Sequence, residues 1–214
     1  MKRITALRLR DTRRQRFELE VNGEPRAEVA AEVIVSHQLK KGQAVSEELI
    51  ESICKEDEFV RARNLAARYI ALRPRSTGEV QRYLRNKDFS RETVQRVIDR
   101  AVAMGDIDNR NFAALFIKNR KKLKPTGPRK LAAELREKGI PQAVIEDVVQ
   151  QELTLDEQRK LARFVVAKKC KTLGHSDQPK QRARLVQHLL RQGFDPDIVE
   201  LTINELIGEL PGKD

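Results

Sequence analysis

One block of apolar spacing occurs three times along this chain, and it limits what the chain can fold into more than any other feature. Val80-x-x-x-Leu84 followed by Phe89, Val94 and Ile98 returns as Leu131-x-x-x-Leu135 with Ile140, Ile145 and Val149. It returns again as Leu185-x-x-x-Leu189 with Phe194, Val199 and Ile203. The offsets are 51 and then 54 residues, with no gap inside any block. Helical spacing, one loop apolar residue, then helical spacing again is the pattern of two antiparallel helices whose loop residue plugs the end of their shared core. Gly139 and Gly193 stand where the first helix must end in a left-handed residue. Ser90, Pro141 and Asp195-Pro196 stand where the second must start. Asp88 replaces glycine in the first copy; aspartate enters the left-handed region at some cost, so a costlier turn is expected there.

One more helix precedes each hairpin, carrying Leu65, Tyr69 and Ile70, then Phe112, Phe116 and Ile117, then Leu161, Val165 and Val166. Ser76-x-x-Glu79 and Thr154-x-x-Glu157 match the capping-box pattern. Three helices per copy give nine. A unit of about 50 residues buries little alone, so the copies are expected to pack end to end in an elongated, curved array. Composition agrees: 39% hydrophobic and 35% charged residues are too thin for one round core and too apolar for a disordered chain. The third copy has a longer connection, Gly174-His175-Ser176-Asp177-Gln178-Pro179, expected to be mobile.

The start of the chain is different. Phe17, Leu19 and Val21 alternate with polar residues at period two, Asn22-Gly23 suits a type I′ turn, and Arg26 to Val29 can return as the partner strand. Thr5, Leu7 and Leu9 supply a third strand within residues 3–29. Residues 30–41 read as a helix ending at Gly42, although Val33-Ile34-Val35 weakens it, and Ser46 caps a further helix with Leu49, Ile50 and Ile53. The expected fold is therefore mainly α. A small β-containing extension (1–57) precedes three trihelical repeats (58–109, 110–153, 154–207) and a tail (208–214).

The formal charge is +11 and unevenly spread. Residues 1–57 hold 11 basic and 11 acidic side chains, 58–109 hold 11 and 7, 110–153 hold 10 and 5, and 154–214 hold 11 and 9. The densest stretch is Lys118-Asn119-Arg120-Lys121-Lys122-Leu123-Lys124, followed by Arg129-Lys130. Such a cluster attracts an extended anionic partner within about 8 Å in physiological salt. The plainer reading is a solvated helix end interacting with its dipole.

Little catalytic chemistry is visible. Phosphate-cradling and common hydrolase motifs are absent, as are CxxC pairs, and Cys170-x4-His175 lacks a second pair to complete four metal ligands. Carboxylates such as Glu134 near Lys138 read as surface pairs. No enzyme activity and no cofactor are expected. No run of about 18 apolar residues occurs, and Met1-Lys2-Arg3-Ile4-Thr5 leads into alternating charge, so no membrane association and a cytoplasmic location are expected. Phe89, Phe112, Phe116, Phe194 and Tyr69 fall on repeat-core positions, which leaves Tyr83 as the main candidate ring for base stacking. Nucleic-acid binding is then expected to be weak, phosphate-mediated and salt-sensitive.

The segments Ala67-Arg68-Tyr69-Ile70-Ala71-Leu72-Arg73-Pro74-Arg75-Ser76, Gly105-Asp106-Ile107-Asp108 with Phe112-Ala113, and Gly127-Pro128-Arg129-Lys130-Leu131 through Glu134-Leu135 to Lys138-Gly139-Ile140-Pro141 resemble the RecX family. These are regulatory proteins that act on the RecA recombinase. The resemblance covers about residues 58–207, and Asp88 and Val80 depart from the family pattern. It implies a non-enzymatic modulator that binds the RecA–DNA filament and restrains ATP hydrolysis and strand exchange in recombination, DNA repair and the SOS response. The alternative is a sequence-nonspecific DNA-binding module independent of RecA. Charge clustering assigns the contact face to Arg73 and Arg75 in the first repeat. In the second it takes Lys118, Arg120, Lys121, Lys122, Lys124, Arg129 and Lys130, and in the third Lys168, Lys169 and Lys171, on a protein expected to be a monomer.

Overall fold

A computed structural model describes residues 2–171 and 178–209. The chain divides into two compact units, one of Met1–Pro74 with Val80–Ile107, the other of Arg75–Glu79 with Asp108–Asp214.

The first unit opens with β1 (Lys2–Asp11), β2 (Arg16–Val21) and β3 (Glu24–Ala30), then α1 (Ala31–Ser36) and β4 (Ala44–Val45), in one antiparallel sheet of order β3-β2-β1-β4. The period-two pattern sets the register: Leu7 faces Leu19 and Leu9 faces Phe17. Asn22 and Gly23 both take positive φ, 53° and 84°, as the I′ turn requires. Two expectations need correction. The helix over 30–41 stops at Ser36, in keeping with its poor-propensity run, and Gly42 (φ 88°) sits in a turn before β4. β4 itself, two residues paired with Lys2 and Arg3, is too short to leave a periodicity.

Ser46 caps α2 (Glu47–Ala71), with the Leu49 amide donating to its Oγ at 3.2 Å. The two helices expected over 46–70 are one continuous rod of 25 residues, about 37 Å long. It serves two cores. Ile50, Ile53 and Val60 pack with Ile4, Leu19, Val29 and Val33 of the sheet module. Phe59, Ala62 and Ala66 join Val80 and Leu84 of α3 (Thr77–Arg85) and Val94, Val97 and Ile98 of α4 (Arg91–Ala103).

In the second unit α5 (Asn109–Leu123), α6 (Pro128–Glu137) and α7 (Gln142–Glu152) enclose Ile117, Leu131, Leu135, Ile140, Ile145 and Val148. There α8 (Leu155–Cys170), α9 (Gln178–Arg191) and α10 (Pro196–Glu209) enclose Val166, Leu185, Leu189, Phe194, Val199 and Ile203. The three hairpins end their first helices alike. Asp88, Gly139 and Gly193 have φ of 61°, 74° and 83°, and the amides of Phe89, Ile140 and Phe194 donate to the carbonyls of Leu84, Leu135 and Leu189. This is the Schellman closure, with the following apolar residue pressed onto the core. Both capping boxes form their forward bond, the Glu79 amide donating to Ser76 Oγ and the Glu157 amide to Thr154 Oγ1. Residues 172–177, including His175 and most of the long third-repeat connection, lie outside the described residues.

Candidate functional site

The basic run of the second repeat lies on the last turns of α5, which Pro125 terminates. Lysines there interact favourably with the helix C-terminus. Several also hold neighbouring carboxylates. Arg120 meets Glu134 at 2.7 Å and lies over the Phe116 ring, so Glu134 pairs across helices rather than with Lys138 along its own. Lys121, only 20% exposed in its side chain, sits 3.9 Å from Glu152 and 3.4 Å from Glu157, and Lys118 is 3.7 Å from Glu152. Arg129 meets Asp195 at 2.8 Å, and Lys130 donates to Gln192 Oε1 at 3.2 Å. Lys122 and Lys124 are exposed with no carboxylate within 4 Å among the described residues.

Folding brings part of this run to the lysines of the third repeat. Lys124 lines a cavity of about 280 Å³ together with Lys168, Lys169, His188, Leu123 and Phe164. Burial, followed by the nearby charges of Lys169, Arg191 and Lys130, pushes the His188 imidazole below its ordinary pKa. Burial accounts for the larger part of that depression and the three cations add to it. Lys171 is exposed just past the end of α8, outside this lining. Arg73, in the first unit, donates to the Pro74 carbonyl at 2.9 Å, and Arg75 is half-buried in the second.

Three participants escaped the sequence reading. His188 and Arg191 belong to no basic run; only α9 packing beside α8 carries them to Lys169. Phe164 follows Arg163 on α8 and is 57% exposed, beside the lysines. Tyr83, expected to be the stacking ring, is instead stacked on Tyr69 with centroids 4.1 Å apart, packed against the first trihelical core.

The thiols are poorly suited to nucleophilic work. Burial and then Asp57 push Cys54 up, with Arg61 opposing, and burial pushes Cys170 up. No group of three or more potential metal ligands occurs among the described residues, and no described helix is long and apolar enough to cross a membrane.

Three family models match the chain in order: RecX, first three-helix domain, at residues 62–100; RecX, second three-helix domain, at 108–149; and RecX, third three-helix domain, at 156–202. The regulatory protein RecX of Geobacillus kaustophilus is 32% identical over 174 residues, 81% of this chain and 64% of that one. The chain thus spans under two-thirds of that relative's length. The regulatory protein RecX of Prosthecochloris aestuarii is 32% identical over 69% of this chain and 94% of its own. Among solved structures, a crystal structure of regulatory protein RecX superposes with a TM-score of 0.76 at 21% identity, covering 95% of this chain and all of the other. RecX from Lactobacillus salivarius gives 0.65 at 24% identity, covering 71% and 98%.

Proposed function

Because this chain belongs to the RecX family, we propose that it is a non-enzymatic, cytoplasmic, monomeric regulator that binds the RecA–DNA filament and restrains its ATP hydrolysis and strand exchange. The observation that carries this reading is the meeting of Lys124, Lys168 and Lys169 with His188 around one cavity, where burial first and then the nearby cations hold the imidazole below its ordinary pKa. Such a surface suits a polyanion or an acidic protein face. The test is DNA-dependent ATP hydrolysis by RecA, titrated with wild type and with Lys122→Glu/Lys124→Glu, which leaves the internal pairs of Arg120 and Lys121 intact. Wild type slows hydrolysis at substoichiometric amounts and the variant needs more protein for the same effect. No slowing by wild type at low salt would defeat the proposal.

The exposed Phe164 ring beside these lysines supports a second reading, a DNA-binding module that acts without RecA. Tight binding to naked DNA, reduced by Phe164→Ala, would favour it.

A further inference from the structure

Residues 1–57 carry as many acidic as basic side chains, yet the first unit does not disperse its cations evenly. A cavity of about 660 Å³ is lined by Arg10, Arg13, Arg14 and Arg16 from the end of β1, the following turn and the start of β2, and by Arg61 and Arg68 of α2. Every cation in the lining is arginine, whose planar fork suits phosphate oxygens better than a lysine point charge does.

We propose that this cleft is a phosphate-binding site whose ligand is the phosphodiester backbone of a nucleic acid. It goes beyond the recombinase reading and needs no recombinase.

The donors are pre-positioned. Asp57, 3% exposed, accepts from Arg16 Nη2 and Arg61 Nε, each at 3.0 Å, and from the Ala30 amide at 2.8 Å, tying α2 to β2 and the end of β3. The turn presenting Arg13 and Arg14 is fixed at both ends. The Arg14 amide donates to Asp11 Oδ1 at 2.9 Å, and Gln15, held at a φ of 49°, accepts at its carbonyl from the Ala31 amide at 3.0 Å. A left-handed glutamine is uncommon and persists where its surroundings over-determine it.

The charge is only partly spent. Arg10 meets Glu18 at 2.7 Å, Asp57 holds Arg16 and Arg61, and Glu28, which lines the cavity along with Asp11, lies 4.0 Å from Arg16. Arg14 has only Asp11, at 3.8 Å, with its own side chain 79% exposed. Arg13 and Arg68 are exposed with no carboxylate within 4 Å among the described residues. Val60, Leu65 and Phe89 add an apolar floor, with the Arg61 guanidinium 5.8 Å from the Phe89 centroid. One free phosphate would leave most of this volume empty. A chain of phosphates and sugars uses the arginine rim and the floor together.

The experiment is fluorescence anisotropy of a labelled oligothymidylate of about 30 nucleotides over a salt series, with the full chain and no recombinase. Each lost phosphate contact lowers the slope of log affinity against log salt by about 0.7 for a single strand. Arg13→Ala/Arg68→Ala should therefore flatten the slope by about 1.4 and weaken binding about tenfold in moderate salt, with an unchanged melting temperature. Arg13→Lys/Arg68→Lys should keep the slope. Oligonucleotide should also slow amide exchange at residues 11–16 in wild type. Wild-type slope and affinity in the alanine variant, or unaltered exchange in the turn, would overturn the proposal. So would displacement of the oligonucleotide, at equal charge, by tripolyphosphate or a polyglutamate peptide, which would assign the cleft to small anions or to acidic protein.

Discussion

Gly127 and Gly193 touch through their backbones. A Cβ on Gly127 would lie 2.3 Å from the carbonyl carbon and oxygen of Gly193, and the Gly127 amide donates to the Gln192 carbonyl at 2.8 Å. The same junction recurs one repeat earlier, where Ser76 Oγ donates to the Lys138 carbonyl and a Cβ on Gly78 would lie 2.6 Å from Gly139 Cα. In the second unit, therefore, a hairpin turn of one repeat seats on the residues that open the preceding hairpin. Gly139 and Gly193 meet two demands, a left-handed φ and a backbone neighbour. Asp88 takes the same φ with a Cβ in place, which aspartate tolerates.

Gly127→Ala is accordingly expected to cost about 1–3 kcal/mol, because the atoms it meets are backbone and cannot rotate away. Gly105→Ala is the comparison: its φ is 78° but nothing lies within 4 Å, so it pays conformational strain alone, about 1 kcal/mol. Urea denaturation of the full chain reads both. A Gly127→Ala protein no less stable than Gly105→Ala would contradict the seating.

Asp57 joins the sheet module to α2 with its carboxylate 5% exposed against an Arg16 side chain 14% exposed. Asp57→Asn leaves the exposed Glu28, 4.0 Å away, as the remaining counter-ion of Arg16 and should destabilise the protein by about 3 kcal/mol, the low end for a broken buried pair. Thermal melting measures this, and a loss below about 1 kcal/mol would show that Arg16 finds another partner.

Glu58 accepts from the Ser90 amide at 2.8 Å, Ser90 Oγ at 3.0 Å and Thr93 Oγ1 at 2.9 Å, at the start of α4. Burial alone would raise its pKa; the three hydrogen bonds and the Arg61 charge outweigh burial and leave it lowered. A carboxyl lowered in the fold stabilises it above the unfolded value, about 4.3, and that contribution is lost as pH falls through the folded value. Glu58→Gln should be less stable at pH 7 and show a shallower loss of stability between about pH 5 and pH 3. Parallel profiles for the two proteins would refute it.

His188 reports on the basic cavity. With three histidines in the chain, its ring resonances can be assigned by His188→Gln and titrated by NMR. Lys169→Gln should raise the depressed pKa toward its ordinary value, and a bound polyanion should raise it in wild type. The depressed histidine also makes the fold lose stability as pH falls below the unfolded value of about 6.5, because the unfolded chain takes up the proton first. An imidazole that ignores both the lysine and the polyanion would remove the cavity from the proposed contact surface.

The amino-acid sequence by itself determined the repeats. Helical spacing, positive-φ turn residues and caps act over a few neighbouring positions, so Leu131 to Val149 could be read without knowing what they touch. It did not reveal that α2 is one helix, because Ile50, Ile53 and Val60 face one core while Phe59, Ala62 and Ala66 face another, and a helix serving two cores has a blurred periodicity. Counting charge by segment placed none on the first 57 residues, yet packing gathers six arginines from across 59 residues around one cavity while Asp57 holds two of them. Likewise Lys124, Lys168 and His188 share a wall only after α5, α8 and α9 have packed. Local rules are written in adjacent residues. Electrostatic sites depend on distances through space, falling off within about a Debye length, and only the tertiary structure decides which charges come that close.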